Sequence, residues 1–402
     1  MRTFELDLLQ TLSLAAVVYF LGIALQKRVG WLDRLNIPAA VVGGLLFNIL
    51  STVLHGQGIG ISLNTSAQTL LSVAFFTSIG MGASLALLKR GGVQVLVFLI
   101  FATLFCFVQN GLGIAIALGF GESPLLGVMA GSVTLVGGPA TGLAFAPLFE
   151  QAGLTGAGAL ALASATVGIV CGGLVGSPAG TWLIRKARLA AGMHTTAEVR
   201  AELEQPVETM VVEVEREDNL VMRSLVILGV AMGIGSIVSR WIESLGVTLP
   251  AYIGAMLVAS VIRNVDDVTG RLKIDVKAME FIGNLALNVF LVVALMNLKL
   301  WQLTGVALPL IVILVAQVAV VLLFAVTVSF WLMGRDYDAA VMSAGFVGFV
   351  LGTTANAMAN MQSLVRRFGA APRAFLVVPL VGAFFIDFTN AIIITFFVDW
   401  LK

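Results

Sequence analysis

"GSVTLVGGPATG", residues 131–142, decides how this sequence is read. Its glycines and proline should end a helix, yet long apolar runs flank it on both sides. The chain has 402 residues, of which 59% are hydrophobic and 11% charged. A second stretch, "GFVGFVLGTTANAMAN" at 345–360, repeats the pattern near the other end. A mean hydropathy of +1.03 places the chain in the membrane class. The net charge of +1 gives no sign of a nucleic-acid partner. Cys106 and Cys171 both fall in apolar runs, which argues against a disulfide framework.

A hydrocarbon core about 30 Å thick is crossed by about 20 apolar residues in helix. Segments that meet this test lie at 8–26, 38–54, 67–88, 93–118 and 157–184, and again at 220–240, 249–262, 281–298, 303–333 and 374–398. The first run lacks a small-residue cleavage site and reads as an uncleaved helix. The two sets of five are separated by one long polar stretch, 187–219, whose biased charge marks a solvated connector. The expected organisation is therefore a repeat at 1–186, a cytoplasmic charged linker at 187–219 and a second repeat at 220–402.

The halves look like copies. An offset of 212 sets Ile37-Pro38-Ala39 on Leu249-Pro250-Ala251, and one of 214 sets Ala130-Gly131 on Ala344-Gly345, Gly138 on Gly352 and Val167-Gly168 on Val381-Gly382. Five is an odd number, so duplicated halves enter the membrane from opposite sides, an arrangement that recurs in secondary transporters. Lysine and arginine collect on the cytoplasmic side of membrane proteins. With the linker inside, 19 of the 23 basic residues are inside and only Arg2, Arg240, Lys299 and Lys402 are outside. Both termini are expected outside. This count requires the stretches at 121–150 and 337–366 to dip in and return, as two re-entrant hairpins from opposite faces. The expected fold is an all-α polytopic membrane protein of two inverted-topology repeats, each with five transmembrane helices and a re-entrant hairpin.

Unpaired backbone in lipid costs several kcal/mol per group, so a broken helix survives there only where protein or a wet cavity satisfies it. Hairpin tips offer carbonyls to a cation and helix N-terminal amides to a carboxylate. The first tip offers Ser132, Thr134, Gly137, Gly138, Thr141 and Gly142, and the second Gly348, Gly352, Thr353, Thr354, Asn356 and Asn360. Close helix packing is the alternative use of such small residues. Asp387, in "GAFFIDFTNAIII", sits inside the last apolar run, where a carboxylate is a functional hypothesis by default. It is a candidate to bind a coupling cation or carry a proton, with Asn390 one helical turn away; a structural hydrogen bond is the alternative. Thr134, Asn356, Asn360 and Asp387 are the candidates for a sodium ion. Asn284, Asn288, Gln109 and Asn110 are equally suited to joining helices. Gly168, Gly172, Gly176 and Gly180 form a smooth strip, for close packing or for sliding.

No phosphate-binding glycine-lysine motif, zinc-binding histidine pair or serine nucleophile elbow is present, so no catalytic residues and no organic cofactor are assigned. An intramembrane enzyme built on Asp387 lacks a second acidic group at the depth expected for it.

The segments "QNGLGIAIALG", "SPLLGVMAGSVTLVGG", "LMNLKLWQL", "RDYDAAVMSAG", "AMANMQ" and "AFLVVPLVGAFFIDFTNA" resemble, in order and along nearly the whole chain, those of the bacterial sodium/glutamate symporters. The resemblance implies import of glutamate driven by sodium, an elevator-like alternating-access movement, a homodimer and a location in the bacterial inner membrane. The loops depart from the family pattern. Where the family carries Gly-Gly-His-Gly-Thr-Gly, this chain has Gly137-Gly138-Pro139-Ala140-Thr141-Gly142. Where it carries Gly-His-Cys-Gly-Phe-Gly, this chain has Gly345-Phe346-Val347-Gly348-Phe349-Val350. The expected function is sodium-coupled symport of glutamate. A cation- or proton-coupled carrier of another small carboxylate and an ion channel are the alternatives.

Overall fold

The computed structural model describes residues 2–30, 32, 37–90, 92–189, 218–244, 250–298 and 305–401. Most of the expected linker at 187–219 lies outside the described residues, as do Arg34, His194, Lys299 and Lys402.

In chain order the elements are β1 (Arg2–Leu6), α1 (Leu8–Arg28), α2 (Ala39–Gly56), β2 (Ile59–Leu63), α3 (Ser66–Gly82), α4 (Leu85–Arg90) and α5 (Gly92–Gly119). A broken pair follows, α6 (Pro124–Val128) and α7 (Gly138–Gln151), and then α8 (Ala157–Lys186). The second half opens with α9 (Asp218–Ser244), α10 (Ala251–Thr269), α11 (Val276–Met296) and α12 (Ala307–Leu332). A second broken pair, α13 (Tyr337–Leu351) and α14 (Thr354–Phe368), precedes α15 (Pro372–Leu380) and α16 (Ile386–Leu401), which are joined by a π-helical turn, Val381–Phe385. Each half thus runs through four long helices, a broken pair and a last long helical stretch.

Six of the described helices, α1, α5, α8, α9, α11 and α12, are long and apolar enough to cross a membrane. The rest of the ten expected spans fall short for visible reasons. α2 is a shorter apolar helix over Ala39–Leu54, α3 has 17 residues, α10 ends in the charged Arg263, Asp266 and Asp267, and the last run is interrupted by its π turn.

The expectation of an all-helical chain needs one correction. β1 and β2 pair in parallel, Arg2 opposite Ile59 through Leu6 opposite Leu63. Both segments, RTFEL and IGISL, are extended pieces at helix ends. Pairing them satisfies backbone groups that no helix covers.

Local chemistry fixes several starts. Asp7 and Gln10 form a reciprocal capping box at α1, with Asp7 Oδ1 accepting from the Gln10 N–H at 2.8 Å and Gln10 Oε1 from the Asp7 N–H at 3.0 Å. Asp275 caps α11 through the Ala278 N–H at 2.8 Å, and Asp336 caps α13 through the Ala339 N–H at 2.9 Å.

The helices sort into two bundles that both halves build together. α1, α2, α3, α9, α10 and α11 pack on one another, and α5, α8, α12, α15, α16 and both broken pairs form the second set. In the first bundle a Cβ on Gly22 would lie 2.2 Å from the Ala39 carbonyl oxygen, so α1 and α2 touch backbone to backbone. Asn48 Nδ2 donates to the Leu295 carbonyl at 3.0 Å and ties α2 to α11. In the second bundle, buried phenylalanines join α5, α12 and α13: the Phe105 ring lies 4.5 Å from Phe324 and 5.3 Å from Phe346. Both cysteines are free.

Candidate functional site

The first broken pair is made by its sequence. Ser123 and Pro124 start α6, the serine Oγ accepting from the Leu125 N–H at 3.3 Å. The helix then loosens into a π turn, Met129–Val133, and breaks at Gly131, whose φ of −100° and ψ of −131° no helix contains. α7 restarts at Gly138 with φ +66°, a left-handed conformation that glycine adopts without strain. The second pair breaks more sharply. Gly352 takes φ −152° and ψ −102°, and Thr353 caps α14 by accepting from the Asn356 N–H at 3.4 Å.

The two breaks meet. A methyl group placed on Gly138 would come within 3.7 Å of the Gly352 carbonyl oxygen and 3.8 Å of the Thr353 methyl. They open on a cavity of about 450 Å³. One wall belongs to the second bundle: Gly137, Gly138, Gly352, Thr353, Thr354 and Asp387. The facing wall belongs to the first bundle, with Phe75 and Ser78 from α3 and Glu280, Asn284 and Leu291 from α11. The first turns of α7 and α14 both reach this space through Pro139, Ala140 and Ala355. Their leading N–H groups have no intrahelical partner, and the positive ends of both helices add there. No lysine, arginine or histidine lines the cavity among the described residues.

The other candidate residues lie behind this surface. The Thr134 hydroxyl donates to the Met129 carbonyl at 2.7 Å, within its own chain turn. Thr141 is buried, and a Cβ on Gly142 would press on Ala161 of α8 at 2.9 Å. Gly348 lets α13 and α14 approach, a Cβ there lying 2.6 Å from the Ala357 nitrogen. Asn356 Nδ2 donates to the Ile169 carbonyl at 2.7 Å, and Asn360 Nδ2 to the Gly172 carbonyl at 2.9 Å, so both bind α8. Ser132 receives two neighbours at its backbone. Its N–H donates to Asn110 Oδ1 at 2.9 Å, and its carbonyl accepts from Asn390 Nδ2 at 2.9 Å.

The glycine strip of α8 is the seat of the second pair. A Cβ on Gly168 would lie 2.3 Å from the Leu351 carbonyl oxygen, one on Gly176 2.1 Å from Asn360 Nδ2, and one on Gly180 2.5 Å from Leu364 Cδ1. Gly172 completes the row against Leu351 and Gly348.

Glu280 was missed from sequence, and it alters one expectation: a second carboxylate lines the same cavity as Asp387. The hydropathy run on α11 began at 281 because a charged residue lowers the local average. The helix itself begins at Val276, and Glu280 and Asn284 share its face. Their one-turn spacing was the available signal.

The family profile described as Sodium/glutamate symporter matches residues 4–370. The chain belongs to the sodium/glutamate symporter family. It is 39% identical over 394 residues to the Sodium/glutamate symporter of Escherichia coli (strain K12), which covers 97% of each chain. It is 37% identical over 384 residues, 95% of each chain, to that of Haemophilus influenzae (strain ATCC 51907 / DSM 11121 / KW20 / Rd). Among solved structures it is similar over 98% of each chain to the sodium proton antiporter MjNhaP1 from Methanocaldococcus jannaschii, at a TM-score of 0.46 and 13% identity. This symporter-family chain is accordingly a multi-pass membrane transporter and not an enzyme.

Proposed function

We propose that the protein imports glutamate across the bacterial inner membrane with sodium, by moving its second bundle against its first. The cavity carries this reading, because two broken helices and an acidic side chain converge where the bundles face each other. Substrate carboxylates would meet the free N–H groups at the starts of α7 and α14, next to Gly138, Thr353 and Thr354. Asp387 would hold a sodium ion beside them, with the substrate's ammonium group within reach of the same carboxylate surface.

Charge makes the coupling obligatory. Asp387 faces a substrate of net negative charge, and no lysine, arginine or histidine lines the cavity among the described residues. Like charges about 4 Å apart repel by about 4 kcal/mol at an effective dielectric of about 20. Sodium at Asp387 turns this repulsion into attraction. Sodium and substrate therefore each raise the other's affinity by the same factor. With more sodium than substrate charge, each excess charge moving inward at 100 mV gains about 2.3 kcal/mol.

The division of the cavity walls supports an elevator. Tips and Asp387 travel together in the second bundle, while Phe75, Ser78, Glu280 and Asn284 stay with the first, so translation changes which side the substrate faces. In this reading residues 1–186 and 220–402 are inverted repeats, their broken pairs are re-entrant from opposite faces, both termini lie outside and the 187–219 linker is cytoplasmic. The first bundles of two copies pair as a homodimer. The loops lack the family's histidines, so the second carboxylate of glutamate depends on backbone amides alone.

Uptake of labelled glutamate into proteoliposomes tests the function. Accumulation that follows an inward sodium gradient and is stimulated by a negative interior supports it; uptake indifferent to sodium removes it. Single cysteines at the feet of the broken pairs test the topology. Labelling at Glu122 and Ala152 from outside only, and at Gly334 and Gly369 from inside only, is expected. Labelling of the two feet of one pair from opposite faces would overturn the re-entrant arrangement.

A further inference from the structure

We infer that a second sodium ion sits behind the first break, held by Ser132 Oγ, Asn390 Oδ1 and Gln109 Oε1, apart from the ion proposed at Asp387. The inference rests on the symport reading for the identity of the ion, and on hydrogen-bond accounting for the place.

All three residues are completely buried, and each has one side-chain oxygen without a partner. Asn390 donates its Nδ2 to the Ser132 carbonyl at 2.9 Å, and Gln109 donates its Nε2 to the Val350 carbonyl at 3.1 Å. Those bonds fix which end of each amide is nitrogen. The atoms left over are therefore oxygens, Asn390 Oδ1 and Gln109 Oε1, and Ser132 Oγ is a third. A buried acceptor with no donor costs about 1–3 kcal/mol. Three in one neighbourhood call for a common donor or a cation.

Asn390 is bonded directly to Ser132, and Gln109 adjoins the 131–132 peptide through its main chain while its side chain turns to Val350. Asn110, next to Gln109, accepts from the Ser132 N–H, and a Cβ on Gly131 would lie 2.6 Å from Asn110 Oδ1 and 3.3 Å from the Gln109 carbonyl oxygen. Gln317 Nε2 also donates to that Gln109 carbonyl at 2.7 Å, and its own Oε1 is unpaired. Asn110 is the exception in kind: its free atom is Nδ2, a donor, so it belongs next to the ion and does not ligate it.

The donor set selects the ligand. Every candidate atom is a neutral hard oxygen, the set that releases an alkali cation readily; divalent ions prefer carboxylates. An anion would find mostly acceptors, with one hydroxyl and the single Asn110 Nδ2 donor. Asp387 lies three residues before Asn390 on α16, so a charge here still feels a carboxylate through low-dielectric protein. The site also has a mechanical consequence. It lies on the π turn that leads into the Gly137–Gly138 tip, so an ion there sets the tip's position before substrate arrives.

The test uses the full chain, purified in nanodiscs for melting temperature and in proteoliposomes for uptake. Without substrate, sodium should raise the melting temperature of wild type, and potassium should not. Sodium dependence of uptake should be cooperative, with a Hill coefficient of about two. Ser132→Ala keeps both backbone bonds and removes only the unpaired oxygen. Asn390→Ser shortens the second ligand. Each should bring the Hill coefficient to about one and raise half-saturating sodium about tenfold, with the substrate KM at saturating sodium little changed. Should Asn390→Ser fail to fold, Ser132→Ala carries the test alone. Wild-type sodium steepness and half-saturation in Ser132→Ala would overturn the site and assign the unpaired oxygens to water. If wild-type uptake ignores sodium, the symport reading fails instead. The site would then still stand if sodium stabilises wild type and Ser132→Ala removes that stabilisation.

Discussion

The two broken pairs reach the same cavity, but they are held there by opposite means. The second, 337–368, is seated: α8 offers it a row of glycines, and Asn356, Asn360 and Thr354 donate to the Ile169, Gly172 and Gly382 carbonyls. Its foot is clasped as well, with Arg373 paired to Asp336 and its N–H bonded to Asp338 Oδ1 at 3.0 Å. The first pair, 124–151, is slung from its backbone. Ser132 hangs between Asn110 and Asn390, while its own hydroxyl and the Asn390 oxygen go unpaired. Each pair keeps one buried side-chain oxygen of its own unpaired, Ser132 Oγ in the first and Asn356 Oδ1 in the second. What separates them is the number of ties, which makes the heavily tied second pair a fixed wall and lets the lightly tied first pair respond to a ligand.

The largest expected effect tests whether both pairs serve one cavity. Asp387→Asn removes the charge that faces the two tips together. Losing a half-buried charged partner worth about 3 kcal/mol should lower sodium-driven uptake about a hundredfold. Uptake in proteoliposomes at fixed gradient measures it. A variant transporting at the wild-type rate would separate Asp387 from the chemistry of the tips.

Next in size is the seat of the second pair. Gly176→Leu drives a side chain into Asn360, whose Nδ2 would lie 2.1 Å from the new Cβ, and overpacking of this kind costs about 1–3 kcal/mol. Gly173, on the same helix, has nothing within 4 Å of such a Cβ. Melting temperature in detergent should fall for Gly176→Leu and stay unchanged for Gly173→Ala. Equal loss in both would mean that α8 tolerates no bulk anywhere, and the glycine row would cease to mark a seat.

Much of this contrast was legible in the sequence, because it follows from composition along the chain. The long apolar runs gave most helices to within a few residues; α5 was expected at 93–118 and spans Gly92–Gly119. Glycine, proline and threonine located both breaks, since backbone that cannot stay helical is a local property. What the sequence withheld depends on neighbours far along the chain. Periodicity does not say that α3 packs on α10 and α11, so the two bundles and their facing walls were invisible. Ser132 and Asn356 looked alike as tip residues, and only the partners of their other atoms separate them. Glu280 escaped for a simpler reason: a charge shortens the hydropathy run that would have enclosed it.

Bracing should separate the pairs again, at smaller size. Asn356→Ala removes the donor to the Ile169 carbonyl and should cost about 1–3 kcal/mol. Thr134→Val removes a hydroxyl bonded only to the Met129 carbonyl of its own turn and should cost about 1 kcal/mol. Melting temperatures without sodium rank them. If Thr134→Val proves the more damaging, the first pair is the rigid one and the contrast reverses.

The smallest effect concerns the wall that neither pair owns. Glu280 stands on α11 in the first bundle, facing the tips across the cavity, and is exposed there. Under the proposed elevator it would face an anionic substrate without travelling with it. Water screens such an exposed charge, so its influence is of the size of a surface interaction, about 0.2–1 kcal/mol. Glu280→Gln should therefore tighten glutamate at low sodium by about two- to fivefold, and change little at saturating sodium, where the bound cations already offset the field. The KM for uptake across a sodium series measures this. Weaker substrate binding in Glu280→Gln at every sodium concentration would make Glu280 a direct partner of the substrate's ammonium group, and the stationary wall would then share in recognition with the tips.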